Sequence, residues 1–141
     1  MEQSIQVKVL SPQREIANQQ ATFVKVRAQK GEIGIGANHS EGLVEVAPGP
    51  LHIYLKDKET SSSKSKLTFF VARGVCYIDS SQVVFMCETV EPKQSIDLKR
   101  AKDSERRALQ RLQVNSTQTN VDVPRALSSL ERARQRVAAL Q

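Results

Sequence analysis

The sequences RAKDSERRALQRL, at residues 100–112, and RALSSLERARQRV, at residues 125–137, space their arginines in the same way. In each, a second Arg-Ala pair begins seven positions after the first, and a further arginine stands four positions after that. On a helix, positions i, i+7 and i+11 lie on one face. Each stretch therefore predicts a helix with a row of arginines beside a seam of small and apolar residues. Because these arginines repel one another, we expect the resulting helical hairpin to be favoured by an anionic partner.

The basic charge of the chain is concentrated in this C-terminal part. The 141 residues carry a formal net charge of +6. Residues 91–141 hold 11 Lys and Arg against 6 Asp and Glu, which gives +5, whereas residues 1–90 hold 10 against 9, which gives +1. A segment with such a bias usually binds something acidic. The length allows one main domain and an appendage.

The first ninety residues show the alternation of apolar and polar residues that is typical of β-strands. The apolar runs lie at 5–10, 23–27, 51–55, 67–71, 75–78 and 83–87, with turn-forming Gly, Pro and Ser residues between them. Such a pattern predicts an all-β sandwich or barrel of about ten short strands. Polar residues 56–66 predict a hairpin tip. The expected fold class is α+β, with a β-sandwich domain at 1–90 and a two-helix hairpin at 91–141.

The start of the first helix is predicted from Pro92, Ser95 and Asp97. Pro92 ends the β-rich part, because proline disfavours ladder pairing and restrains the residue before it. Ser95 is the expected N-cap, and Asp97 lies in the first turn, where negative charge suits the helix dipole. The helix is expected to end at about Gln113.

The second helix is predicted to follow a polar loop at 114–120, with Asp122 as its cap and Pro124 in its first turn. Its apolar stripe consists of Val123, Leu127, Leu130, Ala133, Val137 and Leu140. Since the alanines at the seam bury little apolar area, the hairpin is expected to be held weakly and to be able to switch. The alternative is a pair of solvated basic helices that do not switch.

The sequence contains no set of residues with the types and spacing of a catalytic or metal-binding site. His39 lies in a Gly-rich loop, without Cys, Asp or Glu at metal-ligand spacing, and is interpreted as structural. Cys76 and Cys87 are expected to be buried free thiols. No secretory signal is visible, and no segment approaches the roughly 18 apolar residues of a membrane span. We expect a cytosolic protein, or one that is peripheral to a membrane.

Several motifs, in order, resemble the epsilon subunit family of bacterial F-type ATP synthase. Gly31-Glu32-Ile33-Gly34-Ile35, His39 and Pro48-Gly49 follow the family pattern G-E-x-G-(I/V)…H…P-G. Ile96-Asp97-Leu98-Lys99-Arg100-Ala101 matches the I-D-x-x-R-A motif that is associated with ATP binding in a subset of these subunits. Residues 121–137 resemble the last helix of the family. The chain departs from the family at residues 36–42, where two prolines are lost, and at residues 72–75, where S-G-G is replaced.

The resemblance implies a non-catalytic coupling and regulatory subunit of the proton-translocating synthase. The β-sandwich would dock on the gamma subunit and the c-ring. The helices would fold as a hairpin or extend toward the catalytic α and β subunits, where they block ATP hydrolysis. In subunits with the I-D-x-x-R-A motif, ATP binds the folded hairpin. The resemblance also implies a peripheral position at the cytoplasmic face of the bacterial cell membrane, held there by the complex, and no binding of nucleic acid.

The predicted ligand is regulatory ATP, and no metal site is predicted. Arginine–phosphate hydrogen bonds are charge-assisted and often bidentate, so arginines of both helices are the candidates to hold the phosphates. Ala101 would leave room for the base, and by the resemblance Glu91 and Asp97 would orient the nucleotide and the helix start. The full set of candidate binding residues is Glu91, Asp97, Arg100, Ala101, Arg107, Arg132 and Arg136.

A second interpretation is a basic β domain with a helical tail that binds nucleic acid. Aromatic residues are only 4% of the chain, so stacking platforms for bases are scarce. The basic residues also form matched rows rather than clusters interleaved with aromatics. A third interpretation, an enzyme, lacks a nucleophile–base pair. The residues alone leave the first two interpretations equally open, and it is the resemblance that favours the ATP synthase interpretation.

Overall fold

The computed structural model describes residues 4–56, 65–114 and 123–140. In those ranges the elements are β1 (Ile5–Leu10), β2 (Glu15–Ala28), β3 (Gly31–Gly36), β4 (Gly42–Leu55), β5 (Lys66–Ile78), β6 (Gln82–Pro92), α1 (Leu98–Val114) and α2 (Val123–Leu140), with a 3₁₀ turn at Lys93–Ser95. Most of the predicted hairpin tip at 56–66, nearly all of the predicted loop at 114–120, and the predicted cap Asp122 lie outside the described residues.

The strands form one sheet that closes on itself. Its order is β1-β6-β5-β4-β2-β3, and β1 also pairs with β2. The β1–β6 pairing is parallel and the others are antiparallel. Fully buried apolar side chains fill the interior, among them Val7, Val24, Leu51, Ile53 and Phe85. The predicted α+β class, a β-sandwich followed by two helices, is confirmed.

The prediction of about ten short strands is wrong, because the described part of the chain contains six strands and four of them are 11–14 residues long. In β5, Phe69 and Val71 face the core, but so do Cys76 and Ile78, so the inward-facing positions change from odd to even within one strand. The change falls at Arg73, whose φ of 53° is left-handed. In the sequence, this break in the alternation of apolar and polar residues resembles the end of a strand, so one long strand was predicted as two short ones.

Helix α1 begins at Leu98, and its cap is Asp97, so the prediction of Ser95 as N-cap is wrong. The Asp97 Oδ1 atom accepts a hydrogen bond of 3.1 Å from the backbone N–H of Arg100. Ser95 instead ends the 3₁₀ turn, and its hydroxyl donates to the carbonyl of Pro92 at 2.9 Å. Ile96 between them is extended, which separates the turn from the helix.

The two helices pack along a seam of buried small residues. Ala101 and Ala108 of α1 and Ala126 and Ala133 of α2 are each no more than 4% exposed. Leu127, which belongs to the predicted apolar stripe of α2, is 52% exposed and lies outside the buried seam. Helix α2 also packs on the outside of the sheet. There its buried residue Ala139 joins a cluster with Phe70 and Ala72 of β5 and with the partly buried Ile96. Helix α2 is therefore the one that docks the hairpin on the sandwich.

Candidate functional site

The start of α1, the end of β6 and the C-terminal half of α2 enclose a cleft of about 410 Å³. It is lined by Glu91, Ser95, Ile96, Asp97, Arg100, Ala101, Ser104 and Arg136. Five of the seven residues predicted from the sequence thus lie around one space. Asp97 reaches it because it caps α1, and Ala101 contributes a buried methyl group at the seam.

A second cleft, of about 270 Å³, adjoins the first and shares Ser104 and Arg136 with it. Its lining is Ser104, Arg107, Ala108, Arg111, Ser129, Arg132 and Arg136. The other two predicted residues, Arg107 and Arg132, therefore lie here. Side chains of α1 and α2 contribute to both clefts, so this composite space exists only while the hairpin is folded. Its volumes suit a small organic ligand, for which sites are typically about 300–1,000 Å³.

Arg136 connects the clefts to the sandwich. Its Nε donates to Glu91 Oε2 at 2.9 Å, and its Nη2 donates to Glu91 Oε1 at 3.0 Å. Its guanidinium carbon lies 4.6 Å from the ring centroid of Phe70, which is a cation–π contact. Two of the five N–H donors of a guanidinium are used by Glu91. Arg136 therefore retains donors for a ligand while it holds α2 against β5 and β6.

A second ion pair, which the sequence analysis missed, also holds α2 on the sandwich. Arg27 of β2 pairs with Glu131 of α2, and the same guanidinium donates to the carbonyl of Pro48 at 3.0 Å. Gln135, one turn further along α2, donates to Glu131 at 3.4 Å. No sequence signal marks Arg27, since its partner stands 104 residues away along the chain.

The arginines of the hairpin fall into two groups by their partners. Arg106 pairs with Asp103 at 3.3 Å, and Arg134 of α2 pairs with Glu105 of α1 at 3.5 Å. Arg107 and Arg132 form no ion pair with any residue in the described ranges, and each donates to a serine hydroxyl instead. The second cleft therefore contains cationic groups that are not neutralised by a carboxylate of its own lining. Its chemistry suits an elongated anion.

The two histidines and the acidic residues outside these clefts do not form a comparable site in the described residues. The Nδ1 atom of the exposed His39 lies 2.8 Å from the carbonyl oxygen of Ser40. Within the described residues, no three His, Cys, Asp or Glu side chains are grouped to hold a metal ion. His52 is half-buried, and its Nδ1 lies 3.0 Å from Thr68 Oγ1. Its pKa is lowered mainly by burial and then by the nearby charges of Lys66 and Lys25.

Cys76 and Cys87 are buried free thiols, as predicted. Burial raises the pKa of Cys76 to about 12 and that of Cys87 to about 11. Both therefore remain neutral near pH 7, and neither is suited to act as a nucleophile.

The outer surface of the sheet carries an exposed apolar patch, formed by Leu43, Tyr77 and Met86. Their side chains are 67%, 44% and 44% exposed. Leu43 pairs directly with Tyr77, while Met86 pairs with Val75, two residues before Tyr77 on the same face. Contiguous exposed apolar residues commonly mark a protein interface. No helix within the described ranges combines the length and the apolar character that crossing a lipid bilayer requires.

Comparison with known proteins identifies the family of both parts of the chain. The family model of the ATP synthase delta/epsilon chain beta-sandwich domain matches residues 4–93, and that of the long alpha-helix domain of the same chain matches residues 94–141. An ATP synthase epsilon chain of Clostridium novyi is 27% identical over 97% of this chain and 98% of the relative. That of Ruminiclostridium cellulolyticum is 31% identical over 94% and 92%.

Solved structures have the same fold at low sequence identity. A chain in the mitochondrial ATP synthase of Euglena gracilis, in a structure of OSCP, F1 and c-ring, aligns with a TM-score of 0.81 and 19% identity over 98% of this chain and 82% of that one. A chain in the central stalk and c-ring structure of the Tetrahymena thermophila enzyme aligns with a TM-score of 0.63 and 14% identity over 99% and 98%. Since the two family models span residues 4–141, the chain belongs to the ATP synthase delta/epsilon chain family.

Proposed function

We propose that this protein, an epsilon subunit of an ATP synthase, couples the rotor of a bacterial F-type enzyme to its catalytic head without being a catalyst itself. Its C-terminal helices inhibit ATP hydrolysis when they extend, and ATP bound between them stabilises the folded hairpin. The observation that carries the proposal is the pair of adjoining clefts in which arginines of α1 and α2 line a common space.

The electrostatics of the second cleft make a bound polyanion favourable. Its lining includes Arg107, Arg111, Arg132 and Arg136, which repel one another across the two helices. A triphosphate placed among them replaces this repulsion with charge-assisted hydrogen bonds. The ligand thus stabilises the same helix pairing that forms its site.

The first cleft is suited to the rest of the nucleotide. Ala101 is small and leaves space beside the seam, and the Glu91 and Asp97 carboxylates can accept hydrogen bonds from the base or the ribose. These two carboxylates disfavour phosphate, so the phosphates point away from them and into the second cleft. The seven predicted residues then divide into a base end, with Glu91, Asp97 and Ala101, and a phosphate end, with Arg107, Arg132 and Arg136, while Arg100 lines the first cleft between the two ends.

Nucleotide binding of this kind is strong enough to set the position of the helices. A ligand that binds only the folded hairpin stabilises it by about 2.7 kcal/mol at a hundredfold excess over its Kd. The docked form depends on two partly exposed ion pairs, on the contact of Arg136 with Phe70 and on a small apolar cluster around Ala139, so in this proposal its competition with an extended form is closely balanced. A shift of that size moves a balanced equilibrium almost completely to one side.

The partners follow from the two surfaces. The exposed patch of Leu43, Tyr77 and Met86 is the surface that we assign to docking on the stalk, with the gamma subunit and the c-ring as its partners. The basic helices, when extended, face acidic residues of the catalytic β and α subunits, in keeping with the net charge of +5 in residues 91–141. The protein sits peripherally at the cytoplasmic face of the bacterial cell membrane, through the complex alone.

Titration of ATP into the full chain tests the ligand. We expect saturable binding that Arg100→Ala with Arg107→Ala abolishes. The matched control is Lys102→Ala, because Lys102 is a neighbouring cation of α1 that is exposed and lines neither of the two clefts. Unchanged affinity in the double variant would remove these arginines from the site, and no binding to the unaltered chain would refute the nucleotide site itself.

Truncation after Pro92, where β6 ends, tests the inhibition. We expect the reconstituted ATP synthase complex to hydrolyse ATP faster with the truncated subunit than with the full chain, since the inhibitory helices are gone. The gamma subunit should still co-purify with the truncated form, because the patch is retained. Equal hydrolysis rates in the two assembled complexes would mean that the helices do not inhibit this enzyme.

A further inference from the structure

Two serines lie between the arginines of the second cleft. Ser104 of α1 and Ser129 of α2 both line it. Each stands three residues before an arginine, and its hydroxyl accepts a hydrogen bond from that arginine. The distances are 3.4 Å from Arg107 Nη2 to Ser104 Oγ and 3.4 Å from Arg132 Nη2 to Ser129 Oγ. The two helices thus present the same Ser-x-x-Arg-Ala unit to one space.

The neighbouring Asp103 shows what a different residue does at the same spacing. Asp103 also stands three residues before an arginine, and it forms an ion pair with Arg106. A carboxylate in that position neutralises its arginine, whereas a serine hydroxyl orients the guanidinium and leaves its full charge for a ligand. A serine at this spacing therefore gives Arg107 and Arg132 a neutral hydrogen-bond partner and leaves their charge available.

A serine hydroxyl can also contribute a hydrogen bond of its own. While its oxygen accepts from the arginine, its proton remains free to be donated to an acceptor in the cleft. Phosphate oxygens are acceptors of this kind, and the residues that line the second cleft include no carboxylate that would compete with phosphate for the hydroxyl protons. Two hydroxyls and their two arginines then converge on one anionic group.

We propose that Ser104 and Ser129 are positioning residues that hold Arg107 and Arg132 toward the terminal phosphate of a nucleoside triphosphate, so that the site distinguishes triphosphates from diphosphates. This inference rests on the nucleotide site proposed above. It assigns the terminal phosphate to the end of the composite space furthest from Glu91 and Asp97. A diphosphate whose base lies in the first cleft makes fewer contacts with the two serines and their arginines, so these residues contribute less to its binding free energy.

Calorimetric titration of the full chain with ATP and with ADP tests the inference. In Ser104→Ala with Ser129→Ala, we expect ATP to bind about tenfold more weakly and ADP to change by about threefold or less, since hydrogen bonds to charged groups are the ones lost. Alanine has a higher helix propensity than serine. Weaker binding therefore cannot come from a less stable helix. Ser104→Thr with Ser129→Thr retains the hydroxyls and should restore the preference for ATP.

Ser128→Ala is the matched control. Ser128 is adjacent to Ser129 on α2 but is exposed and does not line the second cleft; the cleft that it shares with Arg132 lies beside Pro48 and Ala72 of the sheet. It should leave both affinities unchanged. If the double alanine variant keeps the ATP and ADP affinities of the unaltered chain, or loses both equally, the inference about the serines is overturned while the nucleotide site stands. If the unaltered chain binds no ATP, the nucleotide site is refuted and the inference with it.

Discussion

Arg136 of α2 and Glu91 of β6 are joined by two parallel hydrogen bonds, 2.9 and 3.0 Å long, across the boundary between the helices and the sandwich. The same arginine lines both clefts of the candidate site. Docking of the hairpin and formation of the cleft therefore depend on one side chain. A ligand that contacts Arg136 acts on the position of α2 directly, without a relay through other residues.

We expect Glu91→Gln to loosen α2 from the sandwich, because the amide keeps the shape of the carboxylate but loses its charge. Hydrogen bonds to charged groups contribute about 1.5–3 kcal/mol. Both side chains are about one-third exposed, so solvent screening reduces the expected loss to about 1 kcal/mol. Faster amide hydrogen exchange along α2 would measure it. Asp103→Asn, which breaks an exposed pair within α1, should leave α2 unaffected, and identical exchange in all three proteins would contradict the prediction.

We expect Arg27→Met and Glu131→Gln to weaken the second attachment of α2 in the same way. Because both side chains are about 40% exposed, their coupling should be below about 1 kcal/mol. A double-mutant cycle, read by hydrogen exchange of α2, isolates this pairwise term from the bond of Arg27 to the Pro48 carbonyl. Strict additivity of the two changes would show that the pair contributes nothing to docking.

We expect Gly74→Ala to destabilise the sandwich by about 1–3 kcal/mol or more, the usual cost of overpacking. A Cβ atom at this position would collide with the carbonyl oxygen of Met86 and would lie 2.7 Å from Cα of Cys87, which are backbone atoms that cannot move aside. Gly42→Ala is the control, since a Cβ there meets nothing within 4 Å. Urea unfolding of the two variants measures the difference, and equal stabilities would refute the steric argument.

We expect the two buried thiols to make the sandwich less stable at high pH. Their folded pKa values, about 12 and about 11, are raised from 9.0 by burial, so the unfolded chain releases these protons first. The contribution of the two protonated thiols to the free energy of unfolding is complete below about pH 9, and it is lost as the pH rises toward the folded pKa values. The slope approaches about 1.4 kcal/mol per pH unit for each thiol. Urea unfolding at several pH values should give a shallower decline for Cys76→Ala with Cys87→Ala than for the unaltered chain; parallel curves would count against it.

The fold class could be predicted because it depends on local pattern, whereas the ligand-binding role of the candidate residues stays a prediction. Helical periodicity predicts that Arg100 and Arg107 share one face of their helix and that Arg132 and Arg136 share one face of theirs. The structure brings all four to adjoining clefts. The number of strands could not be predicted, because the left-handed backbone at Arg73 continues a strand through a break in alternation. Arg27 was also missed, because its role depends on a tertiary contact with Glu131 that no local pattern encodes.

The parallel pairing of β1 with β6 limits when the sheet can fold during synthesis. Gln6 lies opposite Gln82 in the register, so the first strand of the sandwich waits for the last before the sheet can close. Translation adds about 5–20 residues per second, and the basic helices are the segments made immediately afterwards. They therefore leave the ribosome after every described strand of the sandwich, so the surface on which α2 docks can form before α2 is complete.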